Sequence, residues 1–162
     1  MPVEPLLAAL IGTWRGEGSG EFPTMDPFSF EEEVRFLDVG SADLAYLQRA
    51  WAPSSGGVLH AEAGMWRCSA QGALAVTIAQ PRRTEVSEGR IRGGVIELAS
   101  TSTGHAADAA PVVASRRRYR LTGDVLSYEF EMATPSVAEP TRHLVGTLRR
   151  QLGGNTASLT RD

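Results

Sequence analysis

The sequence contains no lysine, because all 16 of its basic residues are arginine, against 19 acidic residues. The absence of lysine excludes Schiff-base chemistry and a lysine general base. A single cysteine, Cys68, excludes an internal disulfide. No window approaches the roughly 18 apolar residues of a transmembrane helix, and the N-terminal segment lacks the basic start of a signal peptide. We therefore expect a cytoplasmic protein with no membrane association.

The chain also lacks the motifs of several common enzyme classes. It has no Walker A loop, no dinucleotide-binding fingerprint, no GxSxG and no Cys-x-x-Cys zinc framework. Its formal net charge of −3 provides no long-range attraction to a phosphate backbone, so we expect no nucleic-acid partner. The length of 162 residues suits one domain rather than two. We place that domain at residues 1–152 and a flexible tail at residues 153–162.

After a short N-terminal helix, predicted from Pro5 with Gly12 as its stop, segments of period-2 alternation fill the sequence. They lie near residues 13–20, 28–38, 43–51, 59–67, 73–79, 84–91, 95–103, 114–121, 125–134 and 142–151. Gly, Pro, Ser or Asp separates them, and no helical pattern long enough for a parallel crossover intervenes. We therefore predict an all-β fold, a ten-stranded antiparallel up-and-down β-barrel. A barrel of this width should enclose a ligand cavity.

A two-residue turn at Gly123-Asp124 sets the register between the eighth and ninth predicted strands. This register bears on the arginine triplet at residues 116–118, which could otherwise be read as a nucleic-acid patch. The outer two arginines lie opposite glutamates, which indicates a solvated strand face. Arg117 points to the other face, opposite Phe130, and the pattern gives it no partner.

Three histidines, His60, His105 and His143, are the main candidates for chemistry. Cys68 has no matched base, and the alternating glycines of residues 16–20 indicate a bend or the close approach of a backbone or flat ligand. His105 lies in a Gly/Ala-rich segment that predicts a surface loop. His60 begins the fourth strand, where it could face the cavity or the rim. His143 opens the tenth strand, and alternation leaves its direction open.

The stretch from Gly12 to Thr24 resembles the GxWxGxGxGxYP signature of the nitrobindin family, whose haem-binding barrels look like fatty-acid-binding proteins. The likeness continues through Pro27-Phe28, Glu32-Glu33-Val34, Phe36, Leu59-His60-Ala61-Glu62, Gly94-Val95-Ile96-Glu97-Leu98, Arg118-Tyr119-Arg120 and the last strand. Phe22 stands where the signature has tyrosine, and Met25 replaces an aliphatic residue. The resemblance covers nearly the whole chain and implies a ten-stranded barrel.

The resemblance also implies a site. It assigns the proximal ligand of the haem iron to His143 and a haem contact to Thr24. Leu59 and His60 match the segment that lies over the distal face of the haem in the family, where a histidine is not expected to bind the iron. The implied cofactor is one ferric haem b per chain, held at an open end of the barrel.

The activity that the resemblance implies is isomerisation of peroxynitrite to nitrate, with reversible binding of nitric oxide and with His143 as the catalytic residue. Two other functions stay open at this stage. The first is a barrel without haem that carries fatty acids or other small apolar ligands, and the second is a nitric oxide sensor. The sequence also leaves open whether the protein is a monomer or a homodimer.

Overall fold

The computed structural model describes residues 5–41, 43–69 and 71–153. Helix α1 spans Pro5–Leu10, and the strands are β1 (Gly12–Phe22), β2 (Met25–Asp38), β3 (Asp43–Trp51), β4 (Val58–Cys68), β5 (Ala73–Gln80), β6 (Arg83–Arg92), β7 (Val95–His105), β8 (Ala114–Thr122), β9 (Val125–Thr134) and β10 (Val137–Arg150). Neighbouring strands pair antiparallel, and β1 pairs with both β2 and β10, so the sheet closes on itself. The prediction of a ten-stranded antiparallel barrel with a short N-terminal helix is confirmed. Beyond Gly153, the predicted tail lies outside the described residues.

Helix α1 closes the end of the barrel at which β1 begins. Leu7 and Leu10 are fully buried there, and the indole Nε1 of Trp14 donates a hydrogen bond of 2.8 Å to the carbonyl of Leu10. The guanidinium of Arg150 donates to the carbonyl of Ile11 at 2.8 Å, which satisfies backbone groups left over at the helix end. Within the described ranges, no helix is long and apolar enough to cross a membrane.

The glycines of β1 allow close packing inside the barrel wall. A Cβ atom at Gly16 would meet the backbone of Thr147 on β10, and one at Gly18 would meet the ring of Phe30 on β2. The predicted close approach at this glycine run is therefore confirmed, and the approaching groups are a backbone and an aromatic ring. The run brings β1, β2 and β10 together on one side of the barrel.

The hairpin of β8 and β9 has the predicted register, with Arg116 opposite Glu131 and Arg118 opposite Glu129. The Arg116 and Glu131 side chains lie 4.0 Å apart at the surface, whereas Arg118 forms its ion pair of 3.4 Å with a glutamate of β7. Arg116 and Arg118 thus lie on a solvated strand face, as predicted. Arg117 points inward and is buried.

Candidate functional site

A cavity of about 540 Å³ opens at the end of the barrel opposite α1. Cavities of roughly 300–1,000 Å³ hold small ligands and cofactors. Aromatic side chains supply much of its wall: Phe22, Phe28, Phe30, Tyr46, Tyr119, Tyr128 and Phe130. All the candidate site residues named from the family resemblance line this one cavity: Thr24, Leu59, His60 and His143.

A β-bulge carries His143. Arg142 pairs with Glu131 and Leu144 pairs with Phe130, so His143 is an extra residue of β10 that has no pairing partner on β9. Bulges re-aim side chains and are common at barrel rims and beside active sites. The bulge therefore directs His143 to the cavity, a direction that strict alternation left open.

A second bulge, on β2 opposite Glu21, lies beside the backbone group that fixes the orientation of the His143 ring. The register of β1 and β2 shifts between Gly20 and Phe22, and the carbonyl of Glu21 between them lies 3.1 Å from Nδ1 of His143. A carbonyl only accepts, so Nδ1 carries the proton and Nε2 keeps its lone pair. Nε2 has no hydrogen-bond partner in the described part of the chain.

The surroundings of His143 keep its imidazole neutral and in place. Burial lowers the pKa of His143, although the hydrogen bond to Glu21 acts in the opposite direction. Three aromatic rings surround the imidazole, with centroid distances of 5.6 Å for Phe22, 6.0 Å for Phe28 and 6.2 Å for Phe130. A neutral imidazole with one nitrogen bonded to a carbonyl and the other free is the form in which histidine binds metals.

The other candidate residues lie around the same mouth. Thr24 sits in the tight turn between β1 and β2 and is exposed. Leu59 is the extra residue of a third bulge, because His60 pairs with Ala50 while Val58 pairs with Trp51. The Leu59 side chain is 51% exposed at the cavity mouth. An exposed leucine at this position offers an apolar surface to a ligand that enters the cavity.

His60 faces the cavity from β4, but one of its nitrogens is engaged. Its Nε2 lies 3.0 Å from a carboxylate oxygen of Glu62, the next inward-facing residue of the same strand. Glu62 is itself buried and accepts a hydrogen bond of 3.1 Å from the side chain of Gln80. The structure thus brings His60 and His143 to one cavity and gives each ring a different anchor.

A buried ion cluster, formed by Glu62, Glu85 and Arg117, lines the inner part of the cavity. Arg117 donates from Nη1 to Glu62 at 2.9 Å and from Nε to Glu85 at 3.1 Å, and its guanidinium lies 4.7 Å from the ring centroid of Phe130. Sequence reasoning gave Arg117 the correct face and missed its partners. No local signal could have found them, because Glu62 is 55 residues away and Glu85 is 32 residues away.

Two buried carboxyl groups of this region differ in their electrostatics. Burial alone raises the pKa of Glu62, but the charge of Arg117 and the hydrogen bond to His60 outweigh it, so this pKa lies well below its usual range. Burial raises the pKa of Glu32, beside the cavity wall, to about 7. The Gln48 amide, which donates to Glu32, and the nearby Tyr128 hydroxyl act against that rise. Glu62 is therefore ionised, and Glu32 titrates near neutral pH.

The described residues contain no group of three or more His, Cys, Asp or Glu side chains that could hold a bare metal ion. The family model described as a THAP4-like, heme-binding beta-barrel domain matches residues 4–150. The chain belongs to this family. Membership in the THAP4-like family confirms the resemblance to haem-binding barrels that the sequence indicated.

Relatives of this THAP4-like barrel are similar over almost their full length. Peroxynitrite isomerase 1 of Mycolicibacterium paratuberculosis is 42% identical over 151 residues, which cover 90% of this chain and 92% of the relative. Peroxynitrite isomerase 1 of Rhodococcus jostii is 39% identical over 149 residues, which cover 91% of this chain and 84% of the relative.

Solved structures give the same result for the fold. The crystal structure of Rv2717c from M. tuberculosis has a TM-score of 0.83 and 37% identity, and the match covers 93% of this chain and 99% of that chain. The S-type phycobiliprotein lyase CPES from Guillardia theta has a TM-score of 0.67 at 12% identity, with 93% of each chain covered. The lyase shares the fold alone.

Proposed function

We propose that the protein is a haem-dependent peroxynitrite isomerase in which His143 ligates the iron of one haem b per chain. The observation that carries the proposal is the His143 imidazole in the cavity, with Nδ1 bonded to the Glu21 carbonyl and Nε2 free. We base the assignment of the activity on the relatives named peroxynitrite isomerase, which are 39% and 42% identical over most of the chain.

The cavity fits a haem group in three respects. Its volume of about 540 Å³ lies within the range of cofactor sites. Its wall is rich in aromatic rings, which suit a flat apolar macrocycle. It presents the His143 imidazole, in which Nδ1 is bonded to a carbonyl and Nε2 is free, the pattern of a metal-ligating histidine.

When bound, haem supplies a ferric iron with an open position for a small anion or nitric oxide. His143 holds the cofactor from β10 and, through Glu21, keeps the ring orientation that exposes Nε2. Thr24 would hold the cofactor from the turn after β1, and Leu59 would offer it an apolar surface from the start of β4. The phenylalanines around His143 exclude water from the ligating side.

His60 contributes to the pocket without ligating the iron. Its Nε2 is held by the buried Glu62 carboxylate, so ligation through Nε2 would break that hydrogen bond and leave the carboxylate without it. The family resemblance likewise gives the histidine at this position no bond to the iron. His60 would then line the space open to a small ligand, whether peroxynitrite or nitric oxide. Because peroxynitrite and nitrate are isomers, their interconversion consumes no proton, and the cavity needs no paired acid and base.

The alternative function as a fatty-acid carrier fits the cavity less well. An alkyl chain deep in the barrel would lie against the ion cluster of Glu62, Glu85 and Arg117. The guanidinium of Arg117 is already bonded to two carboxylates and offers no free partner to the carboxylate of a fatty acid. Burial of such a cluster under an alkyl chain would remove its remaining water at a cost in free energy.

The test compares the wild type with His143→Ala and, as a matched control, with His105→Ala, which removes an exposed histidine at the end of β7. We expect the wild type and His105→Ala to bind hemin with the same Soret band and to accelerate peroxynitrite decay beyond free ferric haem. His143→Ala should lose or strongly shift the band and lose the acceleration. An unchanged spectrum in His143→Ala would refute the ligand assignment, and wild-type decay no faster than that with free haem would refute the activity.

A further inference from the structure

Arg83 is the first residue of β6 and lines the cavity at its mouth. Its Nε donates a hydrogen bond of 2.8 Å to the carbonyl of Ala110, in the loop between β7 and β8. In the described ranges, neither terminal amino group of Arg83 has a hydrogen-bond or ion-pair partner. The side chain is thus anchored at one nitrogen and offers the other two.

Arg83 differs in this respect from the second arginine of the cavity wall. Arg117 has its charge compensated by the Glu62 and Glu85 carboxylates at 2.9 and 3.1 Å. Arg83 forms no ion pair with any described carboxylate. An anionic group that enters the cavity therefore meets a free guanidinium at the mouth and the carboxylates of the ion cluster further in.

A strained turn sets the position of Arg83. Arg82 has a φ of 124°, and it is the one residue other than glycine with a positive φ in the described part of the chain. Its backbone N–H donates to the carbonyl of Gln80 at 2.8 Å, while its side chain turns outward to Asp108, 3.1 Å away. Strained conformations of this kind cluster at ligand clamps and active sites. The two adjacent arginines both contact the loop between β7 and β8, Arg82 at Asp108 and Arg83 at Ala110, and Arg83 lines the cavity.

We propose that Arg83 binds an anionic group at the mouth, either a carboxylate of the haem or the anionic substrate. This proposal rests on the proposed function, and it adds a positioning residue that the sequence did not indicate. The planar guanidinium fork matches the geometry of a carboxylate and keeps its charge at all relevant pH values. The ionised Glu62 carboxylate further in favours an arrangement in which the anion stays at the mouth.

The first experiment measures the affinity of the apoprotein for hemin and for hemin dimethyl ester, whose carboxylates carry no charge, by quenching of tryptophan fluorescence. The variants are Arg83→Gln and the matched control Arg90→Gln, which removes an exposed arginine of the same strand. If Arg83 holds a haem carboxylate, Arg83→Gln should weaken hemin binding by about threefold to tenfold and leave ester binding unchanged. The control should change neither affinity.

The second experiment measures azide affinity of the ferric haem-loaded proteins by absorption spectroscopy. If Arg83 receives the anionic substrate, Arg83→Gln should weaken azide binding by about threefold to tenfold while hemin and its ester bind as in the wild type. The proposal is overturned if neither hemin nor azide affinity changes. It is also overturned if the ester loses as much affinity as hemin, because the lost contact would then involve no charge.

Two further measurements distinguish a failure of this proposal from misfolding of the variants and from a failure of the proposed function. Arg83→Lys keeps the charge but loses the planar guanidinium fork, so we expect it to retain part of the anion affinity. Thermal unfolding of each apoprotein checks that the variants fold. Quenching of tryptophan fluorescence reports hemin affinity whichever residue ligates the iron. A selective loss for hemin in Arg83→Gln would therefore support Arg83 even if His143→Ala kept its spectrum.

Discussion

At the mouth of the barrel, a backbone carbonyl orients the candidate iron ligand. The Glu21 carbonyl accepts a hydrogen bond from Nδ1 of His143, whereas the Glu21 side chain is exposed and lies 3.2 Å from Arg142. The bulge that presents this carbonyl is a property of the backbone. The identity of residue 21 should therefore matter little to the site, although the bulge matters greatly.

We expect Glu21→Ala to leave hemin binding and the Soret band unchanged, because the substitution removes an exposed ion pair and keeps the carbonyl. The loss of stability should be below about 1 kcal/mol, as for other surface ion pairs. Absorption titration with hemin and urea unfolding measure the two quantities. A spectrum in Glu21→Ala like that of His143→Ala would contradict the role given to the carbonyl.

Glu32 makes the stability of the protein depend on pH near neutrality. Its folded-state pKa of about 7 lies above the value of 4.5 for an exposed glutamate, so protonation favours the folded state. This contribution is fully present below pH 4.5 and is lost as the pH rises through 7. Relative to Glu32→Gln, the wild type should therefore lose up to roughly 3 kcal/mol of unfolding free energy between pH 5 and pH 8.

Urea unfolding followed by tryptophan fluorescence across this pH range measures the difference. Glu17→Gln, which changes an exposed glutamate of β1, is the matched control and should follow the wild type at every pH. A difference between the wild type and Glu32→Gln that stays constant from pH 5 to pH 8 would show that Glu32 does not titrate there.

At the scale of the strands, alternation and turn residues predict most of the barrel. The prediction of side-chain direction from alternation fails at the bulges. The Gly123-Asp124 turn sets the register of β8 and β9 because each pair then follows from the first. Alternation loses phase at Leu59 and His143, each an extra residue that interrupts the pairing, and on β2, where two residues stand opposite Glu21. The sequence could therefore indicate these candidates by resemblance, but not show from spacing that they face one cavity.

The glycines of β1 offer a test of close strand packing. A Cβ atom at Gly18 would meet the ring of Phe30 and the carbonyl of Val145, so Gly18→Ala should push β1 from its neighbours and cost about 1–3 kcal/mol of stability. Gly57→Ala is the control, because its new methyl group would face only the Ser55 hydroxyl at 3.3 Å. Urea unfolding of both variants measures the effect, and equal stabilities would contradict the packing described.

At the scale of the whole molecule, the ion cluster ties together strands from different parts of the barrel. Arg117→Met would leave Glu62 and Glu85 buried without their cation, and we expect a loss of about 3–5 kcal/mol in unfolding free energy. Arg118→Met removes the neighbouring exposed arginine and should cost less than about 1 kcal/mol. Comparable losses in the two variants, measured by urea unfolding, would refute the importance given to the buried cluster.

The same cluster has a consequence for how the barrel assembles. Arg117 meets Glu62 and Glu85 only when β4, β6 and β8 all have their native alignment. A slip of one residue turns every inward side chain outward, and a slip of two residues moves the guanidinium away from the carboxylates that compensate its charge. We therefore expect the cluster to destabilise misaligned strand pairings during folding. A barrel with the wrong register would leave these charges buried without partners, so its strands would separate and pair again.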